Sequence, residues 1–211
     1  MNIGIIGAGN MGSGLGKIWA DKGHKVMLSY KRNRKKLETI ADSIGSGALV
    51  GTPQEAAQFG EVILLSVSWA QVREALQEAG SLTGKILIDC TMPLTPDLSG
   101  LAIGHTTSGS EEIAKLVPQA SVVRAFNTTF AEVLHSESRM FCSQRASILY
   151  CGDDAATKTV VAKLILDVGF EPVDAGALMN SRYVEPLVMQ WMQLAYVLGM
   201  GPYIGMKLLY R

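Results

Sequence analysis

The chain has 211 residues, 48% of them hydrophobic and 18% charged, which suits one α/β domain with a short appendage. Lys plus Arg and Asp plus Glu each number 19, so no net field favours nucleic acid or an anionic membrane. Cys90, Cys142 and Cys151 have neither C-x-x-C nor metal-ligand spacing and read as reduced, mostly buried thiols of a cytoplasmic protein, with no metal site.

The first predicted element is an apolar strand over residues 2–6, which runs directly into Gly7-Ala8-Gly9-Asn10-Met11-Gly12. Gly7, Gly9 and Gly12 have the G-x-G-x-x-G spacing that binds dinucleotide pyrophosphates. Gly7 permits the tight turn, Gly9 lets the backbone approach the phosphates, and Gly12 lets the next helix pack on its strand. A helix over 11–21 and a second strand over 26–29 supply the context that the motif requires. The apolar start is therefore a fingerprint strand and not a signal peptide, and it has no basic leader.

Residues 29–36 read Ser-Tyr-Lys-Arg-Asn-Arg-Lys-Lys, with no carboxylate before Glu38. An NAD site places an acid here for the ribose 2′-hydroxyl. Tyr30, Lys31, Arg32 and Lys35 offer a hydroxyl and fixed positive charge instead, the chemistry of a 2′-phosphate site. Solvation of the next helix is the blander account, but cations disfavour a helix N-terminus, so a bound anion explains the crowding better. The expected cofactor is NADP(H).

Further strands are predicted over 48–50, 61–67, 85–89, 121–125, 146–151 and 171–174, alternating with helices over 34–44, 53–59, 71–79, 111–117 and 155–168. Pro53 suits a helix start, and Ser108-x-x-Glu111 spells a capping box. This alternation implies a Rossmann-type, doubly wound parallel sheet over residues 1–177, with its ligand crevice at the carboxyl ends of the strands. Three segments fall there: Ser66-Val67-Ser68-Trp69, Cys90-Thr91-Met92-Pro93 and Phe126-Asn127-Thr128-Thr129.

From residue 178 to 211 the pattern reads as helix without strands, a segment and not an independent domain. Trp191, Leu194, Ala195 and Leu198 recur at helical spacing, as in core packing or the seam of a homodimer. Gln190 and Gln193 interrupt its most apolar stretch, which falls short of a membrane span. No triad can be assembled, and His24, His105 and His135 fall in surface positions. Asp153-Asp154 reads as a helix start and not as an acid/base pair. An NADP fingerprint without an acid/base pair suits direct hydride transfer to a second redox cofactor.

Gly7–Gly12, the Ser66–Trp69 turn, Arg124-Ala125-Phe126-Asn127-Thr128, Cys151-Gly152-Asp153-Asp154 and Asp174-Ala175-Gly176…Asn180-Ser181-Arg182 resemble the coenzyme F420-dependent NADP oxidoreductases. The likeness runs over nearly the whole chain. A similar Ala-Phe-Asn segment occurs in the cytosolic domain of the six-transmembrane ferric reductases, which use NADPH with a flavin. The resemblance implies that Ala8, Gly9, Asn10 and Met11 hold the pyrophosphate and that Tyr30, Lys31 and Lys35 hold the 2′-phosphate. It puts Val67, Trp69 and Val72 along the adenosine and ribose. Met92, Pro93, Thr129 and Ala131 flank the nicotinamide and the second cofactor (F420, FMN or FAD), and Ile204 reaches the deazaflavin across a homodimer.

Four departures from the family pattern stand out: Tyr30 for Ser, Ser68 for Pro, Met92 for Asn or Val, and the pair Phe126-Asn127 for Leu-His. Two other readings stand beside the first. One is an imine or carbonyl reductase like pyrroline-5-carboxylate reductase, whose amino-terminal motif is similar. The other is a non-catalytic NADPH-binding sensor.

Overall fold

The computed structural model describes residues 1–29, 34–45 and 47–211. Strands β1 (Asn2–Ile6), β2 (Lys25–Ser29), β3 (Leu49–Gly51), β4 (Val62–Leu65), β5 (Ile86–Asp89) and β6 (Ser121–Arg124) lie parallel. With β9 (Ser147–Gly152) and β10 (Glu171–Asp174) they form, among the described residues, an eight-stranded sheet in the order β10-β9-β6-β5-β4-β1-β2-β3. This is the doubly wound order, with its switch point between β1 and β4.

The central strands are apolar on both faces because helices cover both. On one face Ile3, Ile5 and Leu28 meet Leu15 and Trp19 of α1 (Asn10–Asp21) and Leu164 of α7 (Ala155–Val168). Trp19 donates its indole N–H to the Leu164 carbonyl at 3.2 Å, which satisfies the one polar atom of a fully buried ring. On the other face Ile63, Leu65 and Leu87 meet Val72 and Leu76 of α4 (Val72–Ala79), Ala57 of α3 (Pro53–Phe59) and Ile113 of α5 (Gly109–Leu116). Helix α2 (Arg34–Ile44) packs through Leu37, Ala41 and Ile44, and the short α6 (Ala131–Leu134) through Val133 and Leu134.

Several local expectations hold in detail. Asp154 caps α7 by accepting the Thr157 N–H at 2.7 Å, and Asp153 accepts from the Leu178 N–H. Both acids are therefore engaged by backbone. Ser108 caps α5, but the reciprocal half of its box is missing, because Arg182 takes the Glu111 carboxylate in a two-pronged ion pair. The full capping box belongs to Thr52 and Glu55 at the start of α3.

Three features differ from the sequence reading. Strand β9 pairs antiparallel with β6, placing Val123 opposite Gly152, so the sheet is parallel only as far as β6. A small hairpin, β7 (Met140–Phe141) with β8 (Gln144–Arg145), precedes it and leaves Cys142 exposed at its tip. The carboxyl-terminal segment is not helical to its end. Helix α8 (Ser181–Met192) runs into one π-helical turn, Gln193–Val197, and stops at Gly199 and Gly201, whose φ values of +74° and +78° break helical geometry. The chain then runs without regular structure beside the start of β9, where the Ser147 N–H donates to the Met206 carbonyl at 2.6 Å.

Candidate cofactor and active site

The glycine-rich turn joins β1 to α1 at the carboxyl end of the sheet. Gly7 has φ +103°, and a Cβ there would sit 2.5 Å from the Ser66 carbonyl oxygen. At Gly12 a Cβ would overlap the Gly7 carbonyl oxygen and come within 2.6 Å of Ser66 Oγ. Ser66 Oγ donates to the Gly7 carbonyl at 2.5 Å and so fastens the end of β4 to the turn. Gly9 is different, because a Cβ there would meet nothing within 4 Å. The protein itself makes no demand for glycine at that position, and the open space faces the start of α1. That helix has no side-chain cap and no acid in its first turn, so its leading N–H groups are available to an anion. The cradle fits a dinucleotide pyrophosphate.

Two hollows open beside the turn. The larger, about 510 Å³, lies between Gly9, Asn10 and Met11, the Ser66–Trp69 turn, and Cys90–Met92; the loop carrying Leu94 to Leu98 closes its outer side. The smaller, about 290 Å³, shares Asn10, Met11, Cys90 and Met92 and continues over Phe126, Asn127, Thr129 and Ala131 to Val188, Met192 and Tyr196. A dinucleotide crossing the shared ridge would have its nicotinamide end in the second hollow.

Among the described lining residues of the smaller hollow, Glu132 carries the only charge. The Tyr196 phenol beside it is pushed up by burial and by that carboxylate. Phe130 holds the Tyr196 ring edge-to-face at 5.4 Å. Burial pushes the Cys90 thiol up to about 12, with Asp89 adding to the shift and Arg124 opposing it, so the sulfur is an inert wall.

Of the residues singled out from the sequence, Gly9, Asn10, Met11, Ser66, Val67, Trp69, Met92, Thr129 and Ala131 meet at these hollows. Gly7, Ala8 and Gly12 lie buried beneath them and shape the turn. Val72, Pro93 and Ile204 do not reach the cleft. Val72 is buried with the α4 core, and Pro93 packs on Gly109. Ile204 is half-buried in the tail next to Gly205, which abuts Phe141 and Ala146. Tyr30, Lys31 and Arg32 lie outside the described residues. Lys35 stands exposed on the first turn of α2, next to Arg34, which borders a further hollow of about 420 Å³ at the end of β3. The histidines differ among themselves. His24 bridges to Asp167 at 3.0 Å, far from the turn, whereas His135 Nε2 lies 2.8 Å from the Asn10 carbonyl, at its edge.

The sequence reading missed a buried charge network under the second hollow. Arg124 is fully buried, and its Nη1 lies 3.0 Å from Glu185 Oε1 and 3.4 Å from Asp89 Oδ2. Ser110 Oγ donates to Asp89 Oδ2, and the Gly109 and Ser110 N–H groups donate to Glu185. Glu185 thus docks α8 on the N-terminus of α5 and on the end of β6. Burial raises its pKa, and Arg124 opposes the rise. A signal for half of this existed: β5 and β6 are apolar runs that each end on a charge, and Asp89 and Arg124 are register partners. Glu185, sixty-one residues further on, gives no such cue.

Residues 2–93 match the family described as coenzyme F420-dependent NADP oxidoreductase. The chain is 30% identical over 185 residues to metalloreductase STEAP3 of Rattus norvegicus, covering 88% of this chain but only 36% of that protein. It spans about a third of that relative's length. It is 27% identical over 203 residues to the F420-dependent NADP reductase of Methanothermobacter marburgensis, with 89% of each chain covered. A solved structure of a candidate F420-dependent NADP reductase from Arthrobacter sp. FB24 superposes with a TM-score of 0.88 at 26% identity over the whole of both chains.

Proposed function

We infer that this chain, an NADP-dependent oxidoreductase of the F420-dependent family, exchanges a hydride between NADP(H) and a deazaflavin or flavin acceptor. The observation that carries the reading is the pair of hollows meeting at Asn10, Met11, Cys90 and Met92, the second large enough for a ring beside the nicotinamide and free of an evident acid/base pair. NADPH supplies the hydride when bound. The residues of this chain would then bind, orient and exclude water. The α1 N-terminus and Gly9 hold the pyrophosphate, and Ser66, Val67 and Trp69 flank the ribose. Met92, Thr129 and Ala131 set where the rings lie. Tyr30, Lys31, Arg32 and Lys35 would hold the 2′-phosphate.

Stopped-flow oxidation of NADPH with F420, FMN, FAD, a ferric chelate and pyrroline-5-carboxylate in parallel tests the reading. Deuterium from labelled NADPH retained at C5 of F420, or a primary isotope effect on the reduction of a flavin, supports it. Transfer only to an imine or carbonyl compound would replace it. NADPH is expected to bind at least tenfold more tightly than NADH, a difference of about 1.4 kcal/mol. Changing Lys31 and Lys35 to Ala should abolish that preference and leave NADH binding nearly intact, as titration of each cofactor would show.

The same reading makes the protein a homodimer in the cytoplasm. Val197, Leu198, Met200, Tyr203, Leu209 and Tyr210 are each more than 60% exposed, a larger apolar run than a free surface normally carries. Sedimentation at micromolar concentration should give twice the chain mass, and deletion of residues 198–211 should return a monomer. A monomeric intact protein would remove the seam from the reading.

A further inference from the structure

We propose that Asn127 is a positioning residue for the nicotinamide, accepting a hydrogen bond from the carboxamide N–H through Oδ1; the inference rests on the NADP(H) reading above. Asn127 is 9% exposed and borders the smaller hollow. Its Nδ2 donates to the Thr91 carbonyl at 2.8 Å. That carbonyl is held in place, because the Thr91 N–H and Oγ1 both donate to Asp89 Oδ1 and Arg124 Nη1 donates to the Thr91 carbonyl itself at 3.3 Å. The amide therefore has one orientation. Flipping it would set Oδ1 against another acceptor.

Oδ1 is left with no partner. Among the described residues the other buried side-chain atoms without one are Arg124 Nε and Trp191 Nε1, both donors, so Asn127 Oδ1 is the one orphaned acceptor. A buried carbonyl in that condition marks a place where a donor is expected to arrive.

The backbone shows that the position is imposed. Phe126, immediately before it, is fully buried with φ +67°, a left-handed conformation that a bulky residue rarely adopts. Its ring is held edge-to-face on Trp19 at 5.6 Å, so the turn cannot relax without opening the core. Strain of this kind gathers where a side chain is being aimed.

The donor is identified by the surroundings. The hollow lies at the carboxyl ends of β1, β5 and β6, where the nicotinamide half of a dinucleotide falls. Met11, Cys90 and Met92 give that wall no strong donor or charge. A carboxamide carries two N–H groups, and an asparagine carbonyl is their natural acceptor. Oδ1 is itself buried, so contact requires a neighbouring side chain to swing aside; Met92 is tethered through its sulfur to Arg124 Nη2, which leaves the unbranched thioether of Met192 in the same lining to move.

The test measures binding, not turnover. NADP⁺, its 3-acetylpyridine analogue (which carries a methyl in place of the amide NH₂) and 2′,5′-ADP are titrated calorimetrically against the full chain and N127L. The wild type should bind NADP⁺ about tenfold more tightly than the analogue. N127L should bind the two within about twofold of each other, with 2′,5′-ADP unchanged between the proteins. A wild type that binds the dinucleotides equally overturns the proposal, and this arm needs no variant to fold. It is also overturned if N127L weakens all three ligands alike, or if it keeps the wild-type ratio between the two dinucleotides. If the wild type binds neither NADP⁺ nor 2′,5′-ADP, the NADP(H) reading itself fails, and the proposal with it.

Discussion

A Gly9→Val protein is expected to fold normally and to bind NADPH more than a hundredfold more weakly, a loss of about 2.7 kcal/mol or more. The backbone at Gly9 is extended, with φ −74°, so valine can adopt it, and its Cβ would point into space that none of the described residues fills. The thermal midpoint should move by no more than a few degrees, the size of a changed helix cap. Gly12→Val makes the opposite demand. Its Cβ would overlap the Gly7 carbonyl and crowd Ser66 Oγ, so α1 must be pushed off β1. Overpacking of this kind costs about 3 kcal/mol, which in a chain of this size lowers the midpoint by roughly 6–12 °C. Calorimetry on the folded proteins, with NADPH titrations alongside, separates the two. Normal NADPH affinity in Gly9→Val would remove the pyrophosphate from this turn.

Arg124→Met should be the most destabilising single change outside the glycine turn. It leaves Asp89 and Glu185 buried with no cation between them, and breaking a buried pair typically costs about 3–5 kcal/mol. The midpoint should fall by roughly 10 °C. Glu185→Gln should lose less, because an amide oxygen in the place of Oε1 can still accept from Arg124 and from the Ser110 N–H, and only the Gly109 N–H, which donates to Oε2, loses its acceptor.

The pH dependence gives a second check. Burial raises the Glu185 pKa, and in Arg124→Met only the Gly109 and Ser110 N–H groups still oppose the rise. A group whose folded pKa is raised contributes stability below its unfolded value and loses it as pH rises through the folded one. The deficit of Arg124→Met should therefore shrink as pH falls from 7 toward 5. A urea-unfolding series across that range, with a constant or growing deficit on acidification, would count against a buried Glu185–Arg124 pair.

The sheet was legible as far as β6, because parallel strands covered on both faces must be continuously apolar, and runs such as Ile-Ile at Ile5-Ile6 and Val-Ile-Leu-Leu at β4 announce this locally. The glycine turn was legible for a related reason: its requirements are steric, and a missing side chain is visible in one dimension. Helix caps such as Asp154 were legible too, since a cap and the N–H that it accepts are three residues apart.

What the linear pattern did not contain is direction and distance. Residues 146–151 read as a strand whichever way they run, and the reversal of β9 against β6 depends on pairing partners more than twenty residues away. Helical periodicity after residue 192 suggested a helix to the end, but Gly199 and Gly201 end it, and the tail finds its hydrogen bond at Ser147.

The site divides in the same way. The glycine turn and the lack of a carboxylate between Ser29 and Glu38 were legible in one dimension, because both are written in consecutive residues. Tertiary structure alone decided that Arg124 is a buried partner of Glu185 and that Asn127 has an unsatisfied carbonyl. Those properties belong to groups brought together from β5, β6, α5 and α8. A side chain's burial and its hydrogen-bond partners are fixed only when separate elements close around it.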